Sequence, residues 1–296
     1  FVTGLNRATI QLERDKTDHA ALARAKEAVI GYAVANSTMP GGLPFPDRNG
    51  DGNYDGNGDC VTVAVTGSHL IGQLPALLEQ GCGPSAPALG INVMDSYGQN
   101  LWFAVSSNLV KSSGGTFPVI TSSSVMSSTS GWLTIRNQSG ATVASDVAFL
   151  VMAAGEVLPA QSRNGVAPNV SGFLDSYIVG AATYQNWDGD SDFIMAEPVN
   201  DSSNHFNDKF LYLRKAEFAT RLAERAAGEI RSRLSFPYSD VLPPGLPTWF
   251  TDNWSGVTIY LKNNDTSATV TFLNCAASFS INWSGAVSVI KRTGSC

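Results

Sequence analysis

The chain has 296 residues, of which 43% are hydrophobic and only 15% are charged, and its formal net charge is −6. This composition supports a hydrophobic core, and the acidic balance counts against nucleic acid as a partner because binding it requires basic patches. The longest apolar run, Val147–Ala154, has the length of a strand and falls short of the about 18 residues that cross a bilayer. The sequence begins at Phe1, so we expect a targeting or membrane segment upstream of it.

An alanine-rich stretch predicts a first helix over residues 15–36. Either Asp15 or Thr17 can cap its N-terminus, and Pro40 marks its latest end. The helical pattern continues upstream through polar residues, so the helix can begin earlier. A thin apolar stripe, suited to lying along one surface, is formed by Leu5, Leu12, Leu22 and Val29.

A β-rich middle part follows a loop over residues 43–58 that is dense in Gly, Asp, Asn and Pro. The Ser/Gly/Thr-rich stretch 107–130 predicts a surface loop or an edge hairpin. Predicted strands are Val61–Val65, Leu101–Ser106, Trp132–Arg136, Val147–Ala153 and Phe193–Ala196.

A second helix is predicted over residues 214–234, with Phe218, Leu222, Ala226 and Ile230 as its buried stripe. After a Pro-rich linker at 243–247, four short alternating segments predict antiparallel strands. They are Val257–Leu261, Ala268–Leu273, Phe279–Trp283 and Val287–Lys291. The predicted fold class is therefore α+β, with one domain over residues 1–240 and a small antiparallel β domain or extension over 245–296.

Four cysteines fall into two local pairs, and none forms the closely spaced pair that a zinc site needs. We predict the disulfides Cys60–Cys82 and Cys275–Cys296, each closing a loop of about 20 residues and contributing about 3 kcal/mol. Four free thiols in a reducing cytosol are the alternative. The polar surface favours an oxidising compartment.

The most specific local motif is an acidic loop that predicts a calcium site. It alternates oxygen-bearing side chains at Asp47, Asn49, Asp51, Asn53 and Asp55, and Asp59 follows, a pattern that a hard cation favours. Gly58 occupies the position where an EF-hand has its bidentate Glu, so the loop is of a non-helical kind. The alternative is a loop of Asx-turns that holds no ion.

A second, shorter acidic cluster is a weaker metal candidate. It comprises Asp188, Asp190 and Asp192, and its alternative is a solvated turn before the strand Phe193–Ala196.

The sequence predicts no catalytic site. The three histidines, His19, His69 and His205, lie outside any nucleophile or metalloprotease motif. A secreted hydrolase with an acidic pair stays open as an alternative, because paired carboxylates meet only in the fold. Aromatic side chains in the C-terminal part could stack on a sugar or a partner protein, or could pack in the core. They are Trp249, Trp254 and Trp283.

Several motifs together resemble bacterial type IV pilin-like proteins, namely prepilin-type minor pilins and pseudopilins. They run in order from about residue 20 to residue 234. They are Ala21–Ala33, Leu43–Asp47, Gly72–Pro75, Leu101–Ser106, Asp146–Ala148, Ala154–Gly155, Gln161–Arg163, Asp192–Ile194 and Phe206–Asp208. Phe45 stands where this group leads us to expect a cysteine, and residues 245–296 lie outside the resemblance.

The resemblance implies a non-catalytic structural or assembly component of a type IV pilus or a type II secretion-type filament. Its N-terminal helix would pack on an antiparallel sheet. An upstream hydrophobic helix half would first anchor the protein in the inner membrane and then pack against other pilin subunits. The mature protein would lie in the periplasm or in a filament at the cell surface, where some members of this group adhere to surfaces. Calcium in such domains orders a loop. The alternative is a secreted carbohydrate- or protein-binding module outside any filament.

Overall fold

The computed structural model describes residues 2–37, 40–48, 53–60, 67–80, 86–87, 89–110, 119–159, 161–163 and 169–296. The fold class is α+β, as predicted, and the chain divides into two compact units. Unit 1 comprises Phe1–Tyr32, Leu43–Thr116 and Gly131–Leu213. Unit 2 comprises Ala33–Gly42, Phe117–Ser130 and Arg214–Cys296.

The α-helices of the described residues are Val2–Ala35 (α1), Ser122–Ser127 (α2), Lys215–Arg233 (α3) and Thr248–Asn253 (α4). Their strands are Gly58–Asp59 (β1), Ile71–Gln73 (β2), Leu78–Gln80 (β3), Ala86–Pro87 (β4), Trp102–Val105 (β5), Leu133–Asn137 (β6), Thr142–Ala153 (β7), Ser176–Val179 (β8), Ala182–Gln185 (β9), Asp192–Met195 (β10), Val199–Asn200 (β11), His205–Phe206 (β12), Lys209–Arg214 (β13), Thr258–Asn264 (β14), Ser267–Phe272 (β15), Cys275–Trp283 (β16) and Ser288–Thr293 (β17).

A six-stranded mixed sheet forms the centre of unit 1. Its strand order is β10-β6-β7-β5-β2, and β13 also pairs with β7. In it β10 and β6 pair in parallel, with Phe193 opposite Ile135, whereas β7 is antiparallel to β5 and β6. The 12-residue strand β7 is apolar and buried from Val147 to Ala153. A central strand is covered on both faces of the sheet, so the side chains on both faces are shielded from water.

The core of unit 1 continues from this sheet into the loops beside it. Trp102 on β5 is fully buried between the rings of Tyr54 and Phe173, at centroid distances of 5.4 and 5.3 Å. Phe45 is fully buried as well, at the position where the resemblance leads us to expect a cysteine. An apolar ring at that position serves packing rather than cross-linking.

Unit 2 is built on an antiparallel meander of β14, β15, β16 and β17. One face of the meander is apolar and buried, and α3 packs on β16 and β17. The predicted stripe of α3 is confirmed, since its four members are at most 1% exposed. The predicted antiparallel strands are also confirmed, with Leu261 of β14 opposite Thr269 of β15.

The first helix exists as predicted but is longer, because α1 begins at Val2 rather than at residue 15. Asp15 and Thr17 therefore lie inside the helix and cap nothing. The Thr17 hydroxyl instead donates to the Glu13 carbonyl one turn earlier, at 2.9 Å. Exposed polar side chains of good helix propensity allow the helix to continue upstream.

The predicted loop or hairpin over 107–130 was wrong in part, because α2 lies within it. Thr121 caps this helix with a capping box, in which Thr121 and Ser124 each accept the backbone N–H of the other. The predicted strand Val61–Val65 lies outside the described residues.

The predicted domain boundary near residue 240 does not coincide with the boundary between the two units. The helix α3 precedes that boundary but groups with the C-terminal sheet in unit 2. Burial of its apolar stripe against the meander accounts for this, because proximity in sequence does not decide which surface covers a helix.

Candidate functional site

The most distinctive feature of unit 1 is the change in exposure along α1. Residues 7–17 lie mostly at the surface, including Ile10 and Leu12, which are 52% and 54% exposed. From Asp18 onwards one side of the helix is buried, at positions that include Leu22 and Val29. We call residues 7–17 the projecting segment and residues 18–32 the docked segment of α1.

A buried ion pair marks the start of the docked segment. The Asp18 side chain is fully buried, and its Oδ2 lies 2.7 Å from Lys209 Nζ on β13. Its Oδ1 accepts the backbone N–H of Ser96 at 2.7 Å. Lys209 Nζ also donates to Asp15 Oδ1, at 2.6 Å. Two carboxylates one turn apart on α1 therefore share a single ammonium group.

The electrostatics of this pair favour its charged form. Burial alone would lower the pKa of Lys209, but its hydrogen bonds to Asp15 and Asp18 outweigh that effect, and the pKa is raised. The hydrogen bond from Lys209 lowers the pKa of Asp15. Lys209 therefore stays protonated, and Asp15 ionised, at neutral pH.

A second contact lies next to the ion pair. Arg14 donates from a guanidinium nitrogen to the Tyr97 hydroxyl at 2.9 Å, and its Cζ lies 4.5 Å from the centre of the Tyr97 ring. Tyr97 in turn donates to Glu156 at 3.4 Å. Burial and the Glu156 carboxylate raise the pKa of Tyr97. The phenol therefore stays neutral and can donate.

A cleft of about 380 Å³ lies between α1 and the loops beside it in unit 1. Its polar lining includes Gln11, Asp15, Tyr97, Glu156 and Lys209. The arrangement links the helix to the rest of unit 1 and leaves polar groups lining the cleft. Sequence reasoning missed it, although the i, i+3 spacing of Asp15 and Asp18 on one helix face was a visible signal.

The structure brings together two motifs, Gln161–Arg163 and Phe206–Asp208, which are 43 residues apart in the chain. Gln161 donates to Asp175 Oδ1 at 2.7 Å, and the backbone N–H of Asp175 donates to Asp208 Oδ2 at 2.8 Å. Arg163 donates to the Gly155 carbonyl at 2.8 Å. Asp175 and Asp208 are buried, Gln161 and Arg163 are partly buried, and Asp208 directly precedes Lys209, the first residue of β13.

The described part of the predicted calcium loop is held by its own hydrogen bonds. Asp47 is buried, and its Oδ2 accepts the Gly56 N–H at 2.8 Å. Asp59 Oδ2 accepts the Arg48 N–H at 2.9 Å. Asp55 Oδ1 accepts the Asn57 N–H at 2.8 Å, which is an Asx-turn.

These contacts match the Asx-turn alternative for the described residues of that loop. Asn53 is exposed, and Asn49 and Asp51 lie outside the described residues. Calcium binding by the loop as a whole stays a prediction.

The second acidic cluster is held in a turn in the same way. Asp188 accepts the Asp190 N–H at 3.2 Å, and Asp190 accepts the Asp192 N–H at 2.6 Å. Asp192 is paired with Arg136 at 2.9 Å. In the described part of the chain, no group of three or more His, Cys, Asp or Glu side chains is placed to hold a metal ion.

Of the predicted disulfides, Cys275–Cys296 is confirmed and joins β16 to the last residue of the chain. Cys60 is disulfide-bonded, and its predicted partner, Cys82, lies outside the described residues.

Two of the three candidate ligand-binding tryptophans belong to the core of unit 2. Trp254 is 1% exposed and meets Phe272 edge-on at 5.3 Å, and Trp249 packs against Trp254. A buried indole offers no face to a sugar, which corrects the prediction for both residues. Trp283 is partly exposed and stacks on Phe236 at 5.8 Å.

No family model, curated protein or solved structure matches the chain. None of the helices among the described residues is long and apolar enough to cross a membrane.

Proposed function

We propose that the protein is a non-catalytic structural or assembly subunit of a type IV pilus or a type II secretion-type filament, that is, a minor pilin or pseudopilin. The observation that supports this role is α1. It has 34 residues, or a length of about 50 Å at 1.5 Å per residue, and its projecting segment leaves Ile10 and Leu12 open to solvent. The motifs that resemble pilin-like proteins agree with this role.

In this proposal the projecting segment packs against other pilin subunits, and the junction around Lys209 keeps it in a fixed direction. The half-exposed Ile10 and Leu12 present apolar surface to water, and burying that surface against a neighbouring helix would be favourable. The precursor would be anchored in the inner membrane by a segment upstream of Phe1. The mature protein would reach the periplasm or the cell surface.

The test is the recovery of the protein in a filament fraction sheared from the cells that produce it. Ile10→Asp should reduce recovery at least tenfold and leave the melting temperature unchanged, since the side chain is already half exposed. Val287→Asp in unit 2, where the side chain is 61% exposed, is the matched control and should assemble normally. Native protein found only in the medium, and absent from sheared filaments, would refute the proposal.

An adhesive role is a second candidate, favoured by one observation in unit 2. Phe236 is 54% exposed and stacks on Trp283 at an interplanar angle of 23°. Paired aromatic rings of this kind accept the apolar face of a sugar or of a partner protein. Trp283→Ala should abolish binding to immobilised glycans that the unmodified protein retains, whereas Ile259→Ala on the opposite face of the meander should not. If the unmodified protein retained no glycan, the adhesive role would be excluded.

Calcium in the loop 47–59 is proposed as a structural ion. Burial and then the Asp47 and Asp59 carboxylates raise the pKa of Tyr54 to about 12, and a cation bound to these carboxylates would lower it again. Calcium at a hundred times its dissociation constant would stabilise the protein by about 2.7 kcal/mol, and EGTA would remove that effect. A melting temperature that is the same with calcium and with EGTA would mean that the Asx-turns hold the loop without an ion.

A further inference from the structure

Two buried carboxyl groups in unit 1 are linked by reciprocal hydrogen bonds with each other's backbone. Asp175 and Asp208 are each 4% exposed. The Asp175 N–H donates to Asp208 Oδ2 at 2.8 Å, and the Asp208 N–H donates to Asp175 Oδ2 at 3.1 Å. Asn207 N–H also donates to Asp175 Oδ2, at 2.6 Å. This reciprocal pattern joins the segment before β8 to the segment before β13.

The neighbouring polar groups do not supply a full counter-charge. The Arg163 guanidinium lies near both carboxyls but donates to the carbonyls of Ala154 and Gly155 and to Gln161 Oε1, at 3.0, 2.8 and 2.9 Å. Asp208 Oδ2 accepts two neutral donors, the Asp175 backbone N–H at 2.8 Å and the Asn186 side-chain amide at 3.0 Å. Its Oδ1 is buried and has no hydrogen-bond partner in the described part of the chain.

Other charged groups nearby are directed elsewhere. Arg163 also interacts electrostatically with Asp95. One guanidinium therefore faces three carboxyl groups, those of Asp95, Asp175 and Asp208. His205 lines the same cleft as Asp175 but its Nδ1 contacts Asn200. Lys209, the next residue after Asp208, turns towards α1 and pairs with Asp15 and Asp18. The buried pair therefore carries more negative charge than its surroundings balance.

We propose that Asp175 and Asp208 share a proton and form an acid-closed latch, which loosens when that proton is lost and then weakens the hold of Lys209 on α1. The inference goes beyond the filament role and does not depend on it. Two like charges within one buried network repel each other, because burial weakens the screening that water provides. Since the latch lies one residue before Lys209, its loosening affects the docking of the helix.

The direction of the pH dependence follows from linkage. Burial raises the pKa of Asp175 to about 6, and burial together with the Asp175 carboxylate raises the pKa of Asp208 well above its ordinary value. The native protein then holds a proton that the unfolded chain releases above about pH 4. Stability from this pair is therefore present in acid and declines as the pH rises through about 6 and above.

The test is thermal unfolding of the full chain between pH 4.5 and 8, with EDTA in every buffer. The melting temperature should fall by several degrees across this range, and Asp208→Asn should remove most of that fall, because the amide carries no charge at any of these pH values. His205→Gln and Asp201→Asn are the controls. His205 lines the same cleft as Asp175, and hydrogen bonds from the backbone N–H groups of Asn204 and Ser203 lower the pKa of Asp201.

Protection of the Ser96 amide, which donates to Asp18, reports the docking of α1. Its protection factor against hydrogen exchange should decline with rising pH in the native protein and stay constant in Asp208→Asn. If that variant fails to fold, carboxyl ¹³C titration of the unmodified protein decides, since one of the two carboxyls must titrate at or above about pH 6. Both carboxyls titrating below pH 5, or an unchanged pH dependence in Asp208→Asn, would overturn the latch.

Discussion

The two segments of α1 have similar helical character but different surroundings. In the projecting segment Leu12 is 54% exposed, whereas in the docked segment Leu22 and Val29 are at most 3% exposed. All three belong to the same predicted apolar stripe. The difference shows that a stripe identifies the side of a helix that can be covered, while the rest of the fold decides which part of it is covered.

The transition between the segments is polar. Asp15, Asp18 and Arg14 hold the helix at the point where burial begins, through Lys209 and Tyr97. A directional ion pair fixes the register of the helix, whereas apolar packing alone tolerates a small shift along its axis. The junction therefore gives the projecting segment a defined direction.

The largest effect is expected for a charge placed in the docked segment. Val29 is fully buried, so Val29→Asp would bury a carboxylate and should cost more than about 4 kcal/mol, enough to unfold the protein. Ile10→Asp is the matched control on the same helix and should leave the melting temperature unchanged. Equal stability of the two variants in chemical denaturation would abolish the distinction between the segments.

An intermediate effect is expected at the junction. Asp18→Asn keeps an acceptor for the Ser96 N–H but removes the buried charge that faces Lys209, and should cost about 2 kcal/mol. Asp15 still pairs with Lys209, which keeps the loss below that of a fully broken buried pair. Glu13→Gln removes the exposed pair with Lys16 and should have no measurable effect on denaturant unfolding. If Asp18→Asn left the free energy of unfolding unchanged, the ion pair would not be what holds the helix.

The smallest effect is expected where Arg14 lies over Tyr97. Arg14→Ala removes one hydrogen bond and one cation–π contact, and should cost about 0.5–1 kcal/mol. Arg7→Ala, at an exposed position of the projecting segment, is the control. A double-mutant cycle with Tyr97→Phe would isolate the hydrogen bond, and a coupling energy of zero would contradict the contact.

The regular elements of the chain were largely predictable. The stripe of α3 and the alternation in the meander follow from the periods of helix and strand, which local sequence carries directly. The Cys275–Cys296 bond was also predictable, because its two cysteines lie only 21 residues apart. The short helix α2 was not predicted, since its Ser-rich sequence has the composition of a loop.

The buried polar groups were not predictable in the same way. Asp18 could be read as a favourable acid near a helix start, and Asp175 and Asp208 as ordinary surface acids, because the sequence gives no distance between residues far apart in the chain. Trp249 and Trp254 show the same limit of sequence information for aromatic side chains. Their type suits both a ligand platform and a core, and only their burial identifies the core.

The sequence alone determined the α+β class, the helix α3, the strands of the C-terminal meander and the local disulfide, since each depends on residues close together in the chain. The tertiary structure decided where α1 becomes buried, which carboxylates face a cation, and which unit α3 joins. These depend on residues that are tens to nearly two hundred positions apart, such as Asp15 and Lys209. Periodicity carries no information on such pairs, because packing of the whole unit brings them together.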